Sequence, residues 1–528
     1  MTLLFSLILA KDEQPNFTKY CVQKDGVLKV IENCEITTFT PDIVVILNIS
    51  LEMNKTGWMF MEAETNPSLT GKEQMLGLGY AEGFIFHESL ANHQANIKEY
   101  FLKTDFENDP DYPDEMYQFY TDNMAWTRQM SQTNRDAYWK QVAYTMAHFD
   151  GLVLGYQQQA NASSFLSELD LFMYMSSGDL LDVVKFAIPN KRHWLNRPEL
   201  DELNDHCSGL VRVSGDKVFV SQVAWFTFGA MTRVSKKIKF NLGSRAKEIK
   251  FSSYPGFSYS FDDWYQTDSG LMVFETTDSV YVDELYELCS TESLMTWFKA
   301  PIASRLAADG EEFMSIIGRY NSGTYNNQWV VLDVKKFNQK STADVLWISE
   351  QIPGKVSAYD ATPRLLSEGY FPSYNNPSQL EIRLISGYPE AAAKNRSKDY
   401  FKSARAQIYL RDANKIETIE QMKAFMRYND YLHDPLAYEP KTDSQEPADA
   451  IASRYDLRTD SRINCYGAFD AKIGEYDRAT GKYTTHFISS PAYDNVPAFE
   501  FTDLWCPRRG LAEGKYMHEW VEDEVTLN

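Results

Sequence analysis

Six cysteines are the side chains of this 528-residue sequence best suited to chemistry. Cys21 and Cys34 lie close in sequence, and Cys465 and Cys506 share the C-terminal region, so an oxidising compartment is expected to close those two pairs as disulfides. That leaves Cys207 and Cys289 outside the bridges. A thiol kept reduced in such a compartment is either a small buried apolar group or a nucleophile. Cys207 is the stronger candidate nucleophile, because it opens a β-rich run directly after the polar Asn204-Asp205-His206, which would present its backbone at an exposed edge.

Other patterns fail on spacing. Gly77-Leu78-Gly79 is followed by Gly83, not by a glycine three residues on, so the close approach to a pyrophosphate is not encoded. His87-Glu88 and His93 place histidines six apart, whereas zinc-binding pairs of that class sit four apart on one helical face. There is no phosphate-binding P-loop, no Gly-x-Ser-x-Gly elbow and no Cys-x-x-Cys. The eight histidines are scattered without a metal-ligand cluster, so neither a metal nor another cofactor is expected.

The elements that must position Cys207 read as follows. Cys207 to Val213 and Lys217 to Trp225 form two strands around Ser214-Gly215-Asp216; with Val213 facing Lys217, Cys207 would lie opposite Val223, near Gln222 and Trp225. Further strands are expected at Gly270 to Glu275, Ser279 to Val282, Trp329 to Val334, Ala343 to Gln351 and Ala406 to Leu410. Upstream, Met116 to Gly151 shows helical spacing, and Phe165 to Phe186 is apolar with a break at Ser176-Ser177-Gly178-Asp179. The Pro-bearing polar stretch from His433 to Ala452 reads as a loop or local insertion. Strands flanked by helices indicate an α/β or α+β sandwich rather than a bundle.

Composition sets the context. With 44% hydrophobic residues and no low-complexity tract, the chain should bury a large core. A formal charge of −22 repels phosphate backbones and anionic membrane surfaces, which argues against nucleic-acid binding. Residues 3 to 10 form a short apolar run ending at Ala10. It is too short to span a bilayer and matches the core of a secretory signal peptide over residues 1–10. Five glycosylation sequons, at Asn16, Asn48, Asn54, Asn161 and Asn395, agree with a secreted or lysosomal, lumenal protein lacking a transmembrane segment.

At Cys207 the sequence resembles the phospholipase B-like family. The segment His206-Cys207-Ser208-Gly209-Leu210-Val211, then Trp225, Met231 and Arg233-Val-Ser-Lys236, is similar to that family's cleavage-site region. Collinear blocks follow: Tyr254-Pro-Gly-Phe257, Asp262-Asp263, Ser269-Gly-Leu271, Thr276-Thr277, Gly323-Thr-Tyr-Asn-Asn-Gln-Trp329, Glu350-Gln-Ile-Pro-Gly354, Pro372-Ser-Tyr-Asn375 and Arg427-Tyr-Asn-Asp430. Upstream, Gly57-Trp58, Gly79-Tyr-Ala-Glu-Gly83, Phe149-Asp-Gly151 and Gly155-Tyr156 resemble its N-terminal half. The likeness covers roughly residues 54 to 525.

The resemblance implies an α+β fold, a four-layer αββα sandwich of the N-terminal nucleophile hydrolase type. The precursor would cut itself between His206 and Cys207, and the fragments 11–206 and 207–528 would stay associated in one body. Cys207 would then supply thiol nucleophile and α-amine base together. By the same likeness Trp225 matches a substrate-pocket tryptophan, Asn375 an oxyanion donor and Arg405 a site arginine. Gln222 stands where the family usually has histidine, and it cannot titrate. The implied substrate is an acyl ester or amide, such as a phospholipid or an N-acyl compound. The alternative is a catalytically weak lumenal glycoprotein that binds lipid or acyl ligands on the same scaffold.

Overall fold

A computed structural model describes residues 15–105, 111–188, 207–501 and 504–527. The apolar leader at residues 1–10 and His206, one side of the expected scissile bond, lie outside the described residues. Two sheets dominate. The larger runs, in spatial order, through Lys355–Asp360, Leu346–Ile352, Asn327–Asp333, Leu271–Thr277, Tyr265–Thr267, Glu248–Ser253, Arg233–Lys239, Trp58–Thr65, Ile43–Ser50, Thr18–Asp25 and Val27–Glu32. Its neighbours are antiparallel except where Trp58–Thr65 meets Arg233–Lys239. The smaller sheet runs Tyr370–Ser373, Ser208–Ser214, Lys217–Val223, Ala471–Asp477, Lys482–Ile488 and Val521–Glu524, antiparallel throughout.

The sheets share an apolar core. Val211, Val218 and Val220 of the smaller sheet pack with Met272, Phe274, Val330 and Leu332 of the larger. Gly209 makes the closest approach possible: a Cβ there would lie 2.1 Å from the Phe274 ring, so only glycine lets the sheets meet two residues from Cys207.

Helices cover the outer faces. Helix Gly71–Ile85 starts with a reciprocal cap between Thr70 and Glu73 and rests on the larger sheet, where Gly77 leaves room for Val44. It crosses helix Ala137–Gln159 backbone to backbone. A Cβ on Gly79 or Gly83 would collide with the carbonyl of His148 or Leu152, and one on Gly151 or Gly155 with that of Leu76 or Tyr80. The glycines that fail as a nucleotide motif therefore serve helix packing. On the smaller sheet, helix Ile419–Met426 brings the Met422 sulfur within 3.6 Å of the Ser221 hydroxyl.

Several sequence expectations need correction. The hairpin turn is two residues, not three: Ser214 pairs with Lys217, and Gly215 takes φ +61° as a glycine-first tight turn requires. The register slips by one, so Ser208, not Cys207, faces Val223, and Gly209 faces Gln222. Ala406 to Leu410 is not a strand but part of helix Ala404–Asp412, whose first turn is capped by the Ser403 hydroxyl. Ser279 to Val282 joins no ladder, its amides bonding instead to the Tyr388 hydroxyl and the Ser386 carbonyl. The helical stretch from Met116 divides into Asp114–Thr133 and Ala137–Gln159, and the break after Met175 separates Glu168–Met175 from Leu180–Ala187.

Disulfides join Cys21 to Cys34 and Cys465 to Cys506. Among the described residues no helix is long and apolar enough to cross a membrane. Of the sequon asparagines, Asn16, Asn54 and Asn161 are exposed while Asn48 and Asn395 are half-buried.

Candidate active site

Cys207 sits at the mouth of the hairpin strand Ser208–Ser214 with its side chain almost fully buried. Its φ of +133° is a conformation that residues with a Cβ rarely adopt, so the backbone is strained at the residue singled out for chemistry. The Arg405 guanidinium fixes this position: its Nη1 donates to the Cys207 carbonyl at 2.7 Å, and its central carbon lies 4.3 Å from the centre of the Trp225 ring. A desolvated contact of that kind is worth about 2 kcal/mol. Trp225 is held in turn, because Trp225–Thr227 pairs with Tyr466–Ala468, a strand anchored next door by the Cys465–Cys506 bridge.

Cys207 and Trp225 line one cavity of about 70 Å³, walled by Phe226, Tyr254, Phe261 and Tyr325. Asn375 stands one layer behind. Its Nδ2 donates to the Thr277 carbonyl at 2.7 Å, its own carbonyl accepts from Tyr388, and its buried Oδ1 has no partner. Gln222 lies beneath the site as a brace, its Nε2 donating to the main-chain carbonyls of Asp262 at 2.6 Å and Glu275 at 2.7 Å. The structure thus brings Cys207, Trp225, Arg405, Gln222 and Asn375 to one region. Cys289 packs elsewhere, in an apolar cluster with Val280, Tyr286 and Ile352, its sulfur 3.6 Å from the Gly323 carbonyl.

Sequence reasoning about the thiol missed its charged surroundings. Glu275 places a carboxyl oxygen 4.0 Å from the Cys207 sulfur. Burial pushes the thiol well above its usual range and the Glu275 charge adds to that, while a backbone hydrogen bond from Trp225 and the Lys472 charge oppose it. Burial likewise pushes the Glu275 carboxyl well up, with the nearby Asp262 charge acting the same way. Burial thus favours the neutral form of each group.

Behind them Asp262 accepts from Arg233 and from Lys472, the latter at 3.0 Å, and from the Ser252 hydroxyl at 2.8 Å. Asp470 meets Arg233 at 2.8 Å and Lys472 at 2.7 Å, and accepts from the Ala224 amide. Two cations and two anions balance in the interior. Although burial works against it, the two cations hold the Asp262 carboxyl well below the usual range. The signal for these residues was present as the Asp262-Asp263 and Thr276-Thr277 blocks, but their meeting with Asp470 and Lys472 depends on pairing across more than 200 residues.

Buried carboxyls elsewhere make stability depend on pH. Burial raises Asp179 to about 6 and both Glu62 and Asp449 to about 7. Their folded values exceed the unfolded ones of about 4, so their contribution is full below pH of about 4 and is lost as pH rises through 6 to 7. Glu475 acts oppositely. Burial opposes the shift, but hydrogen bonds from His486 and Lys217 lower it to about 2, and its contribution fades as pH falls toward that value. Thermal unfolding followed from pH 8 to pH 3 is expected to show a maximum near pH of about 4 to 5; a stability that climbs steadily to pH 8 would refute this.

Known proteins resemble this chain over most of its length. The sequence profile of the family described as Phospholipase B matches residues 46–520. "Phospholipase B-like 1" of Bos taurus is 32% identical over 462 residues, 85% of this chain and 82% of that protein. "Putative phospholipase B-like 2" of Caenorhabditis elegans is 34% identical over 476 residues, 86% of this chain and 80% of its own. "Phospholipase B" of Crotalus adamanteus is 31% identical, covering 85% and 82%. With the match running through both sheets, the chain belongs to the phospholipase B family.

Proposed function

We propose that this protein is a self-processing acyl hydrolase on a four-layer αββα sandwich, secreted or lumenal, with Cys207 as its N-terminal nucleophile. The observation that carries the reading is the strained Cys207 backbone, locked by Arg405, beside a buried aromatic cavity. In maturation the Cys207 sulfur attacks the His206 carbonyl carbon, the C–N bond breaks to leave a thioester and a free α-amine, and water hydrolyses the thioester. Removing the preceding carbonyl carbon also removes the atom that defines the strained φ.

In turnover the new α-amine, with an ordinary pKa of about 7.7 to 8.0, takes the thiol proton. The thiolate attacks the acyl carbonyl of a phospholipid or N-acyl compound, the proton passes to the leaving group, and water then hydrolyses the acyl thioester to release the acid and restore the thiol. Asn375 has one Nδ2 hydrogen beyond its bond to Thr277, enough for one oxyanion donor. Such a donor is worth about 2.7 to 4 kcal/mol of barrier. Gln222 supplies position and not proton transfer. The fragments 11–206 and 207–528 remain one body, because the larger sheet takes strands from both sides of the cut.

One observation favours a second reading, a lumenal glycoprotein that binds acyl ligands without efficient chemistry: the Cys207 thiol is buried and its pKa raised. A thiol-directed acyl probe separates the two. Stoichiometric labelling at Cys207 in the processed form is expected, whereas a folded, processed protein that stays unlabelled supports the binding role.

A further inference from the structure

The Asn375 carboxamide can stabilise an oxyanion only if the backbone that carries it stays in place. That backbone is unusual. Its φ is +63°, in the left-handed region that asparagine tolerates without preferring, and the side chain is tethered by a single bond from Nδ2 to the Thr277 carbonyl. The group that grips the main chain is the Tyr388 hydroxyl, which donates to the Asn375 carbonyl at 2.8 Å and accepts from the Ser279 amide at 3.0 Å. Ser279 lines the Cys207 cavity and lies two residues beyond Thr277. One oxygen therefore sets the distance between the segment that carries the donor and the segment that forms the cavity wall.

The Tyr388 ring is itself wedged. It is 2% exposed and meets the Tyr281 ring edge-on at 5.1 Å. Gly387, at φ +83°, lets the chain come so close that a Cβ there would lie 3.1 Å from the Val282 side chain and 3.2 Å from that of Tyr281. The Tyr281 amide donates to the Ser386 carbonyl at 2.8 Å, so ring and loop move as one unit. Phenylalanine would fill the same space; the hydroxyl alone joins Asn375 to Ser279. We propose that Tyr388 is a positioning residue for the oxyanion donor, its hydroxyl fixing where the Asn375 carboxamide stands relative to the Cys207 sulfur. This rests on the acyl-hydrolase reading and adds to it a residue that never touches the substrate. The oxyanion develops only in the transition state, so an error in the donor's position slows turnover and leaves substrate binding intact.

The test compares wild type, Tyr388→Phe, Asn375→Ala and the double variant, each counted by the sites that a thiol-directed acyl probe labels at Cys207. Hydrolysis of one phospholipid and one N-acyl amide is followed to saturation. Tyr388→Phe is expected to lower kcat by about 10- to 100-fold while KM stays within about twofold of wild type. On the Asn375→Ala background the same change should leave kcat where it was, because no donor remains to be placed. The unfolding temperature supplies the contrast, since the lost hydrogen bonds lower it by a similar amount on either background. A folded Tyr388→Phe with wild-type kcat overturns the proposal, as does a kcat loss of equal factor with and without Asn375, or a change confined to KM. A wild-type protein that hydrolyses neither compound removes the hydrolase reading and this role with it, whereas an active wild type beside an equally active variant removes this role alone.

Discussion

Replacing Cys207 with alanine is expected to leave the protein folded, uncut before residue 207, and without acyl hydrolysis. The sulfur is the only atom removed. It makes a weak 4.0 Å contact with Glu275, so its loss costs about 1 kcal/mol of packing and the unfolding temperature moves little. Activity behaves differently, because the nucleophile and the reaction that exposes its amine vanish together. A drop on the order of 10⁴-fold or more is expected, as for other covalent nucleophiles. The comparison that checks it is hydrolysis and fragment pattern of wild type and Cys207→Ala side by side; an uncut variant with wild-type activity would exclude Cys207 from the chemistry.

The second large effect concerns the charges beneath the site. Asp262→Ala leaves Arg233 and Lys472 facing Asp470 alone, one buried positive charge in excess. Breaking a buried pair from one side costs about 3 to 5 kcal/mol. Chemical denaturation should therefore show a marked fall in midpoint. A second change discriminates charge from packing: Lys472→Met on the Asp262→Ala background restores neutrality and is expected to recover a large part of the loss, which a double-mutant cycle measures. Additive penalties in that cycle would show that the network is not what holds Asp262.

What the sequence made legible followed from local rules. The cysteines paired by proximity, Cys207 at the head of a strand and the break at Ser176-Ser177-Gly178-Asp179 needed only neighbours along the chain. The hairpin was readable but its register was not, since a two-residue turn at Gly215-Asp216 and a three-residue one differ by a single pairing, and that slip reassigns every partner. Ala406 to Leu410 misled because a short apolar stretch fits either period; the Ser403 cap was the evidence for helix, and it is the helix that lets Arg405 reach the Cys207 carbonyl. Asp262 stood out as part of a block, but its network with Arg233, Asp470 and Lys472, and the nearness of Glu275 to the thiol, were not legible for another reason. Their meaning lies in burial and in partners far along the chain, which spacing does not encode.

The central claim is that Cys207 becomes a chain terminus. Intact-mass and N-terminal analysis of the deglycosylated protein, before and after incubation at acidic pH, tests it most directly. The expected result is a new terminus at Cys207, with both fragments co-purifying as one folded body. A chain that stays whole under acid while remaining folded, or one cut elsewhere, would contradict the self-processing nucleophile.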